Sequence, residues 1–144
     1  MSPGRLDAET VRRHLLALDE TLAQLARHAG RDIDVLQRDM DERWAVERGL
    51  QLCVQLVLDI ATHLAASAGR DTPDYATAID ELGRLGILPP ELTQKLRPLA
   101  GFRNALVHGY LGLDLRRVHE VLNVHLDEVR ELARRVNAHL GDGG

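Results

Sequence analysis

The sequence predicts an all-α protein, an up-and-down helical bundle, and three observations carry that prediction. Aromatic residues are only 3% of a chain that is 44% hydrophobic, so leucine, valine, alanine and isoleucine must build the core. Apolar residues recur at alternating spacings of three and four along several windows, which is the helical period. Nowhere do four or more residues alternate with the β-branched or aromatic content of a strand. At 144 residues the chain is long enough for one domain with a real core. Residues 1–140 are expected to form that domain, and the closing GDGG, 141–144, a disordered tail.

In the first window Val11, Leu15, Leu18, Leu22 and Leu25 share one stripe, and Gly30 is the expected end. After a short bridge, Arg31 to Asp41, a second long helix carries Val46, Leu50, Val54, Val57, Ile60, Ala61 and Leu64 on a wide apolar face, which marks it as central. Thr72-Pro73-Asp74 supplies a capping hydroxyl, a first-turn proline and an acid near the positive end of the dipole, so a helix is expected to start there and stop near Gly86. Leu88-Pro89-Pro90-Glu91 begins the next, which Pro98 should kink or split. Gly109 and Gly112 close that element. Asp114 is the expected N-cap of a last helix with Val118, Leu122, Val129, Leu132, Val136 and Leu140 as its stripe.

Several functions are disfavoured by composition. The longest apolar stretch, Leu50 to Ala66, contains Gln51, Gln55, Asp59 and His63, each costly at the centre of a bilayer, so a buried helix is expected rather than a membrane span. Net charge is −4, without the overall basic field of many nucleic-acid-binding proteins. Any attraction for RNA is therefore local, and Lys95, Arg97, Arg116 and Arg117 are candidates for a basic rim. Cys53 is the only cysteine, and the N-terminus has no basic segment followed by an apolar run, so a cytoplasmic location is expected. His14, His28, His119, His125 and His139 lack metal-binding spacing, and neither a metal nor another cofactor is expected.

Residues 103–110, RNALVHGY, concentrate polar chemistry in a helical chain. Arg103 stays protonated and presents a planar fork that matches phosphate oxygens. An imidazole is the side chain suited to proton transfer near neutral pH, so His108 can take or give a proton. Asn104 lies four residues before His108 on one face and can orient the imidazole or hold substrate. On an ideal helix Arg103 and His108 point about 140° apart, so two copies facing each other across a twofold axis converge them more readily than one straight helix does. A plainer alternative is a helix end in which Arg103 makes a surface ion pair and His108 complements the dipole. Asp59 and His63, four apart on the second long helix, are expected as a hydrogen-bonded pair, with a supporting position beneath the motif as the functional alternative.

Arg103, His108 and Tyr110 match the Arg-x4-His-x-Tyr motif of the HEPN superfamily, and the surrounding sequence resembles its HepT branch. The resemblance runs through WAVERGLQLCVQLVLDIATHL, TPDYATAIDELGRLGIL and LRPLAGFRNALVHGYLGLDLRRVHEVL, roughly residues 40 to 125. It implies an all-α homodimer acting as the toxin of a bacterial toxin–antitoxin pair, a metal-independent endoribonuclease with catalytic Arg103 and His108. It further implies a minimal nucleotidyltransferase antitoxin as partner, which silences the toxin by transferring AMP to Tyr110. A helical module that only docks a nucleotidyltransferase, or positions its substrate, is the competing expectation, although such a module has no need of Arg103 and His108 together.

Overall fold

The computed structural model describes residues 7–142. Eight α-helices follow in order among the described residues: α1 (Ala8–Ala26), α2 (Ile33–Arg38), α3 (Met40–Ser67), α4 (Tyr75–Arg84), α5 (Pro90–Leu96), α6 (Leu99–Val107), α7 (Leu115–Glu120) and α8 (Leu126–Asp142). A 3-10 turn, Gly109–Leu111, follows α6, and a π-helical turn, Val121–His125, joins α7 to α8. No strand occurs among the described residues, as the sequence predicts.

Five aspartates start helices. Asp7, Asp32, Asp39, Asp74 and Asp114 each accept a backbone N–H from the first turn of the helix that follows, satisfying a donor that has no partner inside the helix. Asp114 was expected in this role. For α4 the cap is Asp74 rather than Thr72, so the helix begins two residues later than the expected start. The Asp74 carboxylate reaches the N–H of Thr77 at 2.7 Å, and a carboxylate is the stronger acceptor. The bridge before α3 also holds a helix of its own, α2, where the sequence predicts only a connection.

α3 is the hub, packed against α1, α2, α4 and α6. By length and composition it could cross a bilayer, yet Val46, Leu50, Cys53, Val57, Leu58 and Ala61 are fully buried inside the bundle. The expectation of a core helix holds. α1 approaches α3 so closely that a Cβ on Gly49 would stand 2.6 Å from a Leu25 methyl, so any side chain there would force the buried Leu25 to shift. α8 covers α1 and α5, burying Val129, Leu132, Val136 and Leu140.

The last helix is not one continuous α-helix as expected. Its π turn adds a residue and re-phases the stripe, so that Val121, Leu122 and Leu126 are all buried while Val124 is 58% exposed. The five-residue spacing also sets His125 Nε2 2.9 Å from Glu120, and Asn123 accepts the Gly30 N–H at 2.7 Å. Burial of Leu140 anchors the final turn, and α8 runs on through Gly141 and Asp142 into the segment expected as tail. Residues 143 and 144 lie outside the described residues.

Candidate active site

α5 and α6 are separated at Pro98, where the chain turns and restarts, as the missing N–H of proline dictates. α6 buries Leu99, Phe102 and Leu106 on one face and so presents Arg103 and Asn104 beside it. The helix stops at Val107. His108 leaves helical geometry (φ −97°, ψ 18°), and the 3-10 turn carries Tyr110 and Leu111 into solvent, 80% and 78% exposed. Gly112, at φ +112°, then redirects the chain toward Asp114 and α7, a backbone angle that side-chain-bearing residues rarely adopt. Gly109 needs no such angle; the re-aiming of this end belongs to Gly112.

Arg103 is half-buried and held from three sides. Its Nε donates to Gln55 Oε1 on α3 at 3.2 Å, one terminal nitrogen donates to Asn104 Oδ1 at 3.3 Å, and its guanidinium carbon lies 5.4 Å from the centre of the Tyr75 ring on α4. Gln55 in turn donates to Asp59 Oδ1 at 2.8 Å and to the Tyr75 hydroxyl at 3.3 Å. Three helices thus converge on one cation.

His108 and Tyr110 stand apart from this cluster. Their rings meet edge-on with centres 6.3 Å apart, and among the described residues neither the imidazole nor the phenol has a hydrogen-bond partner. Arg103 likewise makes no ion pair among the described residues, which removes the surface-pair alternative for it.

Of the residues singled out in the sequence, Arg103, Asn104 and Asp59 come together. Asp59 and His63 do not form the expected hydrogen-bonded pair: Asp59 accepts from Gln55, and His63 Nε2 accepts the Asp7 backbone N–H at 3.3 Å, tying the start of α1 to α3. The basic rim is thinner than expected. Arg97 is engaged by Asp80 at 3.2 Å, and Arg117 pairs with Glu120 at 3.4 Å while lying 5.7 Å from the Phe102 ring. Lys95 and Arg116 stay exposed and without ion pairs among the described residues. Gln55 and Tyr75 were missed as site residues. The available signal was Gln55 four residues before Asp59 in an otherwise apolar run, the spacing that stacks two side chains on one helical face.

Comparison with known proteins follows the same outline. The profile of the family described as ribonuclease HepT-like matches residues 18–136. The tRNA nuclease HepT of Aphanizomenon flos-aquae is 30% identical over 121 residues, 83% of this chain and 82% of its own. Among solved structures, the tri-AMPylated HEPN toxin of Shewanella oneidensis in complex with its MNT antitoxin superposes with a TM-score of 0.79 at 21% identity, over 89% of this chain and 96% of that one. The cytosolic protein YutE from Bacillus subtilis superposes with a TM-score of 0.84 at 19% identity, over 96% of this chain and 93% of that one. With the fold and the family profile in agreement, the chain belongs to the ribonuclease HepT-like family, whose helical bundle is that of the HEPN toxins.

Proposed function

We propose that this chain is the toxin of a toxin–antitoxin pair and cuts RNA, acting in the cytoplasm through Arg103 and His108 without a catalytic metal. The observation that carries the reading is the state of the two motif residues: a braced cation whose second terminal nitrogen has no acceptor among the described residues, and, at the end of the same helix, an exposed imidazole with no hydrogen-bond partner among them. In the reaction a base takes the proton of the ribose 2′-hydroxyl, and the resulting oxygen attacks the adjacent phosphorus. The bond to the 5′-oxygen breaks as an acid protonates it, leaving a cyclic phosphate and a free 5′-hydroxyl. Arg103 carries the charge that gathers on the phosphoryl oxygens. His108 moves protons, a role contributing on the order of 10²- to 10⁴-fold.

The site is completed by a second copy of the chain. Leu52, one turn before Gln55, is 41% exposed, and Val107 and Leu111 are exposed beside the motif. This apolar fringe suits a homodimer in which the two motifs face one cleft, and one His108 serves as base while the other serves as acid.

Tyr110 is the AMP acceptor. The chain has two tyrosines: the Tyr75 hydroxyl is engaged by Gln55, whereas Tyr110 projects into solvent. An AMP on Tyr110 sets a phosphate near Arg103 and competes for the cation that RNA needs. The S. oneidensis relative, AMPylated and bound to its antitoxin, supports a nucleotidyltransferase as partner.

The test is cleavage of total bacterial RNA in EDTA by protein whose Tyr110 is unmodified by mass spectrometry, with and without a nucleotidyltransferase and ATP. Wild type is expected to cut and to be silenced. Tyr110→Phe is expected to cut and to resist silencing; equal silencing of both removes Tyr110 as acceptor. If the unmodified protein cuts nothing, the docking-module reading replaces this one.

A further inference from the structure

Resting on the reading of Arg103 as the phosphate-binding cation, we propose that Gln55, oriented by Asp59 and Tyr75, is the residue that positions its guanidinium for catalysis.

An arginine offers five N–H groups in a rigid fork. Here Nε–H goes to Gln55 and one N–H of a terminal nitrogen to Asn104, so three outward N–H groups remain, two of them on the other terminal nitrogen. Those are the groups a phosphate accepts from in a paired, two-pronged contact. The two internal bonds stop rotation of the fork about its own stem, and the Tyr75 ring lies against it, 5.4 Å from its carbon. A free arginine side chain samples many rotamers, whereas this one presents its open edge in one direction.

The orientation of Gln55 is dictated in turn. An amide has a donating and an accepting end, and its neighbours decide which faces where. Asp59, as a carboxylate, only accepts, so it draws the Gln55 NH2 at 2.8 Å and leaves the amide oxygen facing Arg103 Nε. The Tyr75 hydroxyl takes the same NH2 at 3.3 Å, joining α4 to the relay. Because Asp74 caps α4 immediately before Tyr75, the ring stands on the first turn of a fixed helix. The relay Asp59–Gln55–Arg103 is therefore directional: removing the negative end lets the amide turn and offer a donor to a cation that can only donate.

A merely structural tie between α3, α4 and α6 makes different predictions, and steady-state cleavage of a defined RNA separates the two. Gln55→Leu is expected to lower kcat about tenfold to a hundredfold with KM nearly unchanged, as for a misplaced reacting group. Asp59→Asn is expected to lower kcat by a smaller factor, because asparagine can present either end to Gln55. In an Arg103→Ala background Gln55→Leu is expected to add no further loss, since it acts through Arg103 alone. Should Gln55→Leu lower the melting temperature, Gln55→Asn, one methylene too short to reach the guanidinium, supplies the same comparison. Wild-type kcat in a folded Gln55 variant overturns the proposal, as does an equal loss in both backgrounds. Full cleavage by Arg103→Ala itself overturns instead the assignment of the arginine.

Discussion

Arg103 and His108 are five residues apart, yet the body of α6 and the turn after it hold them in opposite ways. Arg103 is braced by Gln55 from α3, Tyr75 from α4 and its neighbour Asn104. His108 caps the end of α6 and, like Tyr110 beyond it, has no hydrogen-bond partner among the described residues. A cation that must wait for a phosphate gains from being fixed in advance. On the proposed reading His108 is a proton-transferring ring at a surface turn, and its counterpart comes with the substrate or with another chain. The same turn exposes Tyr110, so the segment left unbraced within one chain is also the one that carries the proposed AMP acceptor.

The largest expected effect breaks the comparison at its free end. His108→Ala should reduce RNA cleavage by about 10²- to 10⁴-fold while leaving the melting temperature unchanged, because the ring makes no hydrogen bond among the described residues. A drop of several degrees would show that the turn is braced after all. At the opposite extreme of packing, Gly49→Ala forces a methyl into the α1–α3 contact at Leu25 and should cost about 1–3 kcal/mol of stability by urea denaturation. Cleavage per folded molecule should not change, since the site lies on α6 and on the polar side of α3. Cys53 sharpens the same contrast: burial pushes its thiol up to about 12, so thiol reagents should modify it only on unfolding. Rapid labelling of the native protein would contradict a sealed α3.

A smaller effect concerns the π turn. Hydrogen bonds first to Glu120 and then to Glu128, opposed by partial burial, raise the His125 pKa above its ordinary 6.5. Protonated His125 therefore favours the folded state, a contribution fully present below about pH 6.5 and lost as pH rises through the raised value. Relative to wild type, His125→Gln should be least stable in mildly acidic buffer, with the gap closing toward alkaline pH. A gap that widens with pH would reverse the sign and remove the pairing as its cause.

The helices and their order were legible because each depends on local signals: the leucine stripe of α1, the apolar width of α3, the double proline at the start of α5 and Pro98 after it. What was hidden is what depends on partners far along the chain. Asp59 was visible as polar in an apolar run, but its link to Arg103 passes through Gln55 and Tyr75, residues 48 and 28 positions from the arginine, and no periodicity relates such distances. The same limit misassigned His63, whose partner is the backbone of Asp7, 56 residues away. The π turn was invisible for another reason. Val118, Leu122, Leu126 and Val129 recur at spacings of three and four, the period of an uninterrupted α-helix. The chemistry-bearing pair was legible only as a motif, since neither residue is explained by packing.

The most direct test of a site shared between chains is the activity of a mixed dimer, isolated with two different tags, in which one protomer is wild type and the other carries both Arg103→Ala and His108→Ala. If each motif needs its counterpart, this heterodimer cuts RNA in EDTA no faster than the doubly substituted homodimer. If it retains half the wild-type rate, a single chain holds a complete site, and the account of a braced arginine and a histidine awaiting its partner is wrong.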